Sequence, residues 1–235
     1  MIPAERFNSY SFIVRQSHQY SRSPAAPENL TIEGLVLPST GFGPMRYTAR
    51  QSMKEGSATM RIRQADIHDL TDIMRLYDEA SDAMIGTAHD CCWRRDGHPT
   101  PEFVSGLITG GDMLIAEENG ELIGAVATDH DLGHDYVGTE WLTDVPDELA
   151  AVVHLLVIRM DQRGKGLSRT LLRECLAREI AKGMRTARLD ATANNAPAIA
   201  LYQSEGFEIV GTGDLDVNPD GDSLIPFVVM ERLLF

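Results

Sequence analysis

The chain has 235 residues, of which 43% are hydrophobic and 24% charged, and its formal net charge at pH 7 is −14. This is the composition of a folded globular domain. The acidic balance argues against general nucleic-acid binding, which needs Lys and Arg to neutralise phosphates, and no apolar run approaches the roughly 20 residues of a membrane-spanning helix.

The cysteines Cys91, Cys92 and Cys175 are few, odd in number and partly adjacent. They lack the pattern of a disulfide framework, so a reducing compartment is the simpler inference. The N-terminus has no apolar signal core, because Glu5 and Arg6 come early. We therefore expect a cytoplasmic protein.

Residues 1–59 differ in composition from the rest of the chain. They are rich in Ser, Pro, Gly, Arg and Gln and show no sustained helix or strand period, which predicts a mobile extension. The excess of negative charge lies after this segment. That acidity is compatible with attraction of a cationic substrate and also with solubility alone.

From Met60 the hydrophobic pattern becomes regular. Residues 60–65 alternate between apolar and polar side chains, as in a half-buried strand. Asp66 can cap a helix that runs through Asp78. After a loop, Thr100 and Pro101 open a second, shorter helix.

A hairpin and a central strand come next. Strands 113–116 and 122–128 flank Asn119-Gly120, a strong hairpin signal because both residues tolerate positive φ. The polar stretch 129–148 predicts a long loop, with a helical turn near 146–149. Residues 152–158 are apolar apart from His154, which predicts a strand covered on both faces.

The last predicted elements alternate between helix and strand. They are a helix at 166–182 stopped by Gly183, a strand at 186–191, a helix at 197–205, and a hairpin of 207–215 and 226–233 turned at 218–221. The element order is β-α-α-β-β-β-α-β-α-β-β. It predicts an α/β (α+β) domain over residues 60–235, with a mixed, mostly antiparallel central sheet and helices on both faces.

The segment Arg163-Gly-Lys-Gly-Leu-Ser-Arg169 lies between the central strand and an amphipathic helix. Glycines let the backbone approach an anion, and the helix start offers unpaired N–H groups and the positive end of the dipole. The segment lacks the Gly-Lys-Ser/Thr of a P-loop and the third glycine of the dinucleotide fingerprint. It predicts a diphosphate cradle, with a simple tight turn as the alternative.

This segment resembles the coenzyme A motif of the GNAT N-acetyltransferase superfamily: Gln or Arg, two residues, Gly, one residue, then Gly or Ala. Arg163, Gly166 and Ser168 take those places, Ser168 departing from the pattern with a small hydroxyl side chain. Downstream, Asn195 to Tyr202 and then Gly206-Phe207 resemble the family's second motif. The resemblance covers residues 60–234 and implies an acetyl-CoA-dependent N-acetyltransferase.

The resemblance also implies how the co-substrate is held. The central strand diverges from its neighbour in the family, so its main chain can pair with the pantetheine amides, and the Ile158 N–H could polarise the thioester carbonyl. The expected cofactor-binding residues are Leu156, Val157, Ile158, Arg163, Gly164, Lys165, Gly166, Leu167, Ser168, Arg169, Asn195 and Tyr202. Asn195 either caps its helix or contacts coenzyme A, and Arg173 either reaches a phosphate or lies on a solvated helix face.

Tyr202 and His154 are the expected catalytic residues. The family places this tyrosine near the coenzyme A sulfur, where a protonated phenol can donate to the departing thiolate; the alternative is a core tyrosine. His154 can take a proton from the acceptor amine, or it is a buried histidine satisfied by backbone groups. Glu140, Asp131 and His134 are rival bases or acceptor ligands.

The loop between the first two predicted helices contains the polar residues His89, Asp90, Cys91, Cys92 and His98. Adjacent cysteines lack the spacing of a zinc site, so we expect no metal and assign this loop, with Trp93, to the frame of the acceptor pocket. The acceptor is expected to be a small-molecule or peptide amine, and homodimers are common in the family. A non-catalytic acyl-CoA sensor, a longer acyl-CoA and a nucleotide-phosphate enzyme are the alternatives.

Overall fold

The computed structural model describes residues 60–95, 97–131, 138–216 and 224–234. The extension predicted at 1–59 and the turn predicted at 218–221 lie outside these residues. The described strands are β1 (Met60–Gln64), β2 (Met113–Glu118), β3 (Glu121–Asp129), β4 (Ala150–Ile158), β5 (Thr186–Thr192), β6 (Glu208–Asp216) and β7 (Leu224–Leu233). The α-helices are α1 (Leu70–Met84), α2 (Pro101–Gly110), α3 (Leu167–Lys182) and α4 (Ala196–Ser204).

The strands form one seven-stranded sheet in the order β1-β2-β3-β4-β5-β7-β6. Among the described strands, β4 and β5 are the parallel pair, and the other neighbours run antiparallel. The predicted mixed, mostly antiparallel sheet is therefore confirmed, as is the order of the elements.

Helices cover both faces of the sheet, each over its own apolar core. On one face α1 and α2 pack on side chains of β2, β3 and β4 such as Ile115, Ala125 and Val157. On the other face α3 and α4 pack on Ile123, Val126 and their neighbours. This is the two-layer covering that the buried central strand predicts. None of the described helices has both the length and the apolar composition of a bilayer crossing.

Most element ends follow their sequence signals, but the first helix does not. Asn119 and Gly120 take φ values of 55° and 81°, and Gly183 ends α3 at φ 94°, as predicted. The predicted end of the first helix at Asp78 is wrong, since α1 continues to Met84. The apolar face extends by a further turn through Ala80 and Met84, both buried, and this packing holds the added turn.

A buried ion pair joins β5 to β7. The guanidinium of Arg188, 1% exposed, donates through Nε to Glu231 Oε1 at 3.0 Å, and the Glu231 side chain is fully buried. Arg188 also bonds Asp147 Oδ1 at 2.7 Å and lies 4.0 Å from the centre of the Trp141 ring. The cluster fastens the segment that precedes β4 to the sheet.

Candidate active site

The two parallel strands separate at the middle of the sheet. β4 and β5 pair only along Ala150–Val152 and Thr186–Arg188. Beyond Val152, within the described strands, the edge of β4 that faces β5 has no ladder partner. Such an edge presents main-chain N–H and C=O groups to a gap between two strands, where an extended ligand can pair with them.

A β-bulge in β4 lies at the start of this gap. Leu155 has a φ of 56°, and the register against β3 shifts between the pairs Ala127–His154 and Ala125–Val157. The phenol of Tyr77, from α1, donates to the Leu155 carbonyl at 2.8 Å and so ties the bulge to this helix. Val153 packs in the core under α3 and α4, so alternation places His154 on the face covered by α1 and α2, and the bulge puts Leu155 on that same face.

Ladder alternation sets which main-chain groups of β4 face the gap. The N–H of Arg159 donates to the Ile123 carbonyl at 2.9 Å, so Ile158 and Gly124 form a non-hydrogen-bonded pair. The main-chain N–H and C=O of Ile158 therefore point away from β3 and toward β5. Val157 is the residue whose main chain bonds to β3, and its predicted contact with the co-substrate is left to its side chain.

A cavity of about 540 Å³ passes through the gap between the strands. It reaches both sheet faces, because Tyr202 belongs to the α3–α4 side and His154 faces the α1–α2 side. The expected site residues that line it are His154, Leu156, Val157, Ile158, Arg163, Gly164, Ser168, Asn195 and Tyr202. Lys165, Gly166, Leu167 and Arg169 lie beyond its lining, in the turn and first helical residues that continue from it.

The turn before α3 is open to an anion. Gly164 and Gly166 have φ values of 78° and 79°, and no atom of the described part of the chain lies within 4 Å of where a Cβ would stand on either residue. Among the described residues no side chain caps the N-terminus of α3, and the Thr170 N–H donates to the Gly166 carbonyl at 3.1 Å. The preceding N–H groups, of Leu167 to Arg169, have no intrahelical acceptor, which suits a phosphate.

The cations near this turn are held by specific partners. Lys165 Nζ lies 2.6 Å from Gln162 Oε1, and Arg169 and Arg173 both pair with Glu205 at 2.8 and 2.7 Å. Arg163 contacts the Ile158 carbonyl at 3.4 Å and Met84 Sδ at 3.5 Å, and desolvation lowers its pKa below the ordinary value. Arg163 is thus the cation turned toward the cavity.

Tyr202 lies on α4, with its ring packed against Phe207 at a centroid distance of 5.8 Å. The residue is 8% exposed. Burial, with a smaller contribution from the charge of Asp190, raises the pKa of the phenol well above its ordinary value. Within the described residues the Tyr202 hydroxyl has no hydrogen-bond partner. A phenol in this environment keeps its proton at neutral pH and has a free donor beside the cavity.

His154 forms a dyad with a carboxylate that the sequence patterns did not single out. Its Nε2 lies 3.0 Å from Asp129 Oδ1. Burial alone would lower the pKa of His154, but Asp129, and then Asp190 and Asp131, outweigh it and raise the pKa above its ordinary value. Asp129 is opposite Val152, so it lies diagonally across the ladder from His154.

The loop after α1 closes one end of the cavity. His89, Cys91, Cys92, Trp93 and His98 all line it. His89 Nδ1 lies 3.3 Å from the carbonyl of Asn194, so the loop reaches across the gap. Burial raises the pKa of the Cys91 thiol to about 11 and lowers the pKa of His98 to about 4. The Cys91 thiol and the His98 imidazole are therefore neutral at pH 7.

The sequence matches a known protein family. Residues 73–207 match the model of the acetyltransferase (GNAT) family. A relative from Pseudomonas aeruginosa, named L-methionine sulfoximine/L-methionine sulfone acetyltransferase, is 30% identical over 152 residues, which are 64% of this chain and 81% of the relative.

The chain belongs to the GNAT acetyltransferase family.

Solved GNAT structures share the fold. An N-acetyltransferase from Staphylococcus aureus superposes with a TM-score of 0.58 at 22% identity, over 76% of this chain and all of that one. A putative acetyltransferase from Salmonella typhimurium, solved with its cofactor acetyl-CoA, gives 0.57 at 21% identity, over 76% and 95% of the two chains. Family membership makes this protein an enzyme of the N-acetyltransferase class.

Several expectations can now be located in this GNAT domain. Asn195 caps α4, accepting from the Ala198 N–H at 3.4 Å, and also lines the cavity. Of the rival acceptor-site residues, Asp131 lines the cavity, Glu140 is not part of its lining, and His134 lies outside the described residues. No group of three or more His, Cys, Asp or Glu in the described ranges could hold a metal.

Sequence reasoning missed the polar face of β5. Asp190 and Thr192 line the cavity, and the Thr192 hydroxyl is buried with no hydrogen-bond partner among the described residues. A signal was available, since Thr186, Arg188, Asp190 and Thr192 alternate with apolar residues and share one face of the strand. That face is the one on which His154 lies.

Proposed function

We propose that this enzyme transfers the acetyl group of acetyl-CoA to a primary amine, by direct attack within a ternary complex. One observation carries the proposal: a single cavity joins the glycine turn before α3, the free edge of β4, Tyr202 and His154. The turn and the β4 edge suit the diphosphate and the pantetheine arm of acetyl-CoA. Tyr202 and His154, the two candidate proton-transfer groups, lie on opposite faces of the sheet.

Acetyl-CoA would lie along the gap between β4 and β5. The N–H groups at the start of α3 and the open turn at Gly164 and Gly166 would hold the diphosphate. The main-chain groups of Ile158 that face β5 would pair with the pantetheine arm and donate to the thioester carbonyl. Bound in this way, acetyl-CoA supplies an activated acyl group, and its placement supplies most of the rate.

The acceptor would enter from the α1–α2 face, past the loop that contains Trp93 and His98. His154 would take the proton that the amine must lose, and Asp190 and Asp131 face the same space. Tyr202, on the opposite face, would give a proton to the departing sulfur. The relative named for L-methionine sulfoximine and L-methionine sulfone supports a small-molecule amine, with peptide amines as the other class to test.

A thiol-release assay tests the proposal. The protein is mixed with acetyl-CoA and a panel of amino acids, methionine sulfoximine and sulfone, polyamines, aminoglycosides and short peptides. We expect at least one amine to accelerate release of the free thiol of coenzyme A. Stoichiometric coenzyme A binding without amine-dependent release across the panel would instead support an acyl-CoA sensor. Propionyl- and butyryl-CoA in parallel reactions test the longer acyl groups.

Gly166→Ala should weaken acetyl-CoA binding by about tenfold or more, because a Cβ would strain a left-handed residue and occupy space that a phosphate needs. Gly183→Ala is the matched control. Gly183 has φ 94° at the other end of the same helix, and its Cβ position is likewise clear of atoms from the residues that the structure describes. Both variants should lose similar thermal stability, and calorimetry should show weaker binding only for Gly166→Ala; equal affinities would contradict the cradle.

His154→Gln should lower kcat/KM by about 10- to 100-fold at pH 7, since a general base contributes on this order. The deficit should shrink as the pH rises, because more of the amine then arrives without its proton. Initial rates from pH 6 to 9.5 measure this. A constant ratio between variant and wild type across that range would remove His154 from proton transfer.

Three expectations from the sequence remain predictions. They are the cytoplasmic location, the homodimer and the organisation into a 1–59 extension and a 60–235 domain. Sedimentation analysis of the full chain and limited proteolysis near Met60 test the last two directly.

A further inference from the structure

The carboxylate of Asp129 contacts His154 but is not part of the lining of the cavity. Its Oδ1 accepts from the Asp131 N–H at 3.1 Å and meets His154 Nε2 at 3.0 Å. The side chains of Asp129 and His154 are 15% and 14% exposed. Within the described residues, His154 Nδ1 has no hydrogen-bond partner, so the contact with Asp129 leaves that nitrogen for the cavity.

The neighbours of Asp129 are fixed on the other face of the sheet. Glu179 of α3, 1% exposed, accepts from the Thr128 hydroxyl and lies against His130 Nε2, each at 3.0 Å. Lys182 Nζ is 2.8 Å from the same carboxylate. Side chains alternate along a strand, so anchoring the residues before and after Asp129 on one face holds Asp129 itself on the opposite face, under His154.

We propose that Asp129 is a positioning residue, which fixes the imidazole of His154 and stabilises its protonated form so that Nδ1 accepts the proton of the acceptor amine. The proton moves from the ammonium nitrogen of the acceptor to His154 Nδ1, and the freed lone pair attacks the thioester carbonyl carbon. The C–N bond forms as the C–S bond breaks, and the departing thiolate of coenzyme A takes its proton from Tyr202. This inference rests on the proposed function for its catalytic part, whereas the pairing itself can be measured without turnover.

Four charged or titratable groups face His154 from the surrounding elements. Asp129 comes from β3, Asp131 from the residues after it, Asp190 from β5, and His98 from the segment between α1 and α2. Because Asp129 has the largest effect among the carboxylates, its neutralisation should change the titration of His154 more than removal of any other charge nearby.

Asp129→Asn tests the positioning role, since Asn keeps the size and an acceptor oxygen but removes the charge. We expect the pKa of His154, followed by NMR of the imidazole with His154→Gln for assignment, to fall by about one unit. The acid limb of kcat/KM should move to lower pH by the same amount, and the plateau should fall about tenfold.

Asp112→Asn is the matched control. Asp112 is a partly buried carboxylate whose charged neighbours are Lys182, Asp129, His130 and Glu179, and His154 is not among them. This variant should leave both the His154 titration and the pH profile unchanged. If Asp129→Asn does not fold, Asp129→Glu replaces it, with the charge kept and the imidazole displaced; it should lose kcat while the pKa of His154 stays raised.

An unchanged His154 pKa and acid limb in a folded Asp129→Asn protein would overturn the positioning role. The NMR titration needs no substrate, so it decides the pairing even if no amine is acetylated. Absence of turnover in the wild-type enzyme across the amine panel would overturn the proposed function instead, and the two failures are therefore distinguishable.

Discussion

Tyr202→Phe should lower kcat by about 10²- to 10³-fold and leave the Kd of acetyl-CoA nearly unchanged. The phenol is buried and its raised pKa keeps it protonated, so it can donate to the departing sulfur in each turnover. Phe keeps the ring and its packing on Phe207 and removes only the donor. Steady-state kinetics with the best amine and calorimetric titration with acetyl-CoA measure the two quantities.

Tyr77→Phe is the informative comparison for that experiment. Its hydroxyl donates to the Leu155 carbonyl at 2.8 Å, so its loss should reduce stability by about 1 kcal/mol. Tyr202→Phe breaks no hydrogen bond among the described residues and should leave Tm unchanged. Turnover of Tyr202→Phe within twofold of wild type would exclude the phenol as the proton donor.

Arg188→Met should destabilise the fold by about 3–5 kcal/mol, because it leaves the buried carboxylate of Glu231 without its cation. The loss should appear as a fall in Tm of about 10 °C for a domain of this size. Glu231 Oε1 also accepts from Thr186 and Thr143 at 3.0 and 3.1 Å, but hydroxyl donors do not compensate a full charge in a dry interior.

Two further variants separate charge pairing from packing. Arg188→Met combined with Glu231→Leu should recover most of the lost stability, since both charges are then absent. Arg75 and Asp72 form an exposed ion pair, with side chains 65% and 53% exposed. Because such pairs contribute little, Arg75→Met should change stability by less than about 1 kcal/mol. Thermal melts give the Tm of the wild type, the two single variants and the double variant. Equal losses of Tm in Arg188→Met and Arg75→Met would contradict the role of the buried pair.

The order of elements was predictable because the local signals agree with the tertiary structure. Asn119-Gly120 and Gly183 need positive φ and take it. The end of α1 was not predictable from its caps, since tertiary packing of Met84 decides it. The prediction stopped the helix at Asp78, where the strongly apolar positions become sparser.

The candidate site was partly predictable. The turn before α3, Tyr202 and His154 stand in a local pattern, and the structure brings them to one cavity. The bulge at Leu155 and the contact between His154 and Asp129 depend on strand register, which pairs residues 25 positions apart. The pairing of Arg169 and Arg173 with Glu205 likewise depends on how α4 lies against α3, which single-sequence periodicity does not determine.

Calorimetric titration of the protein with acetyl-CoA and, in parallel, with S-acetylpantetheine tests the central claim most directly, because the two ligands share the thioester and differ in the diphosphate and nucleotide. The turn at Gly164 and Gly166 predicts saturable one-to-one binding of acetyl-CoA, and binding of S-acetylpantetheine weaker by about 100-fold or more. Equal affinities for the two ligands, or no heat with acetyl-CoA, would contradict the assignment of the α3 N-terminus as a diphosphate site.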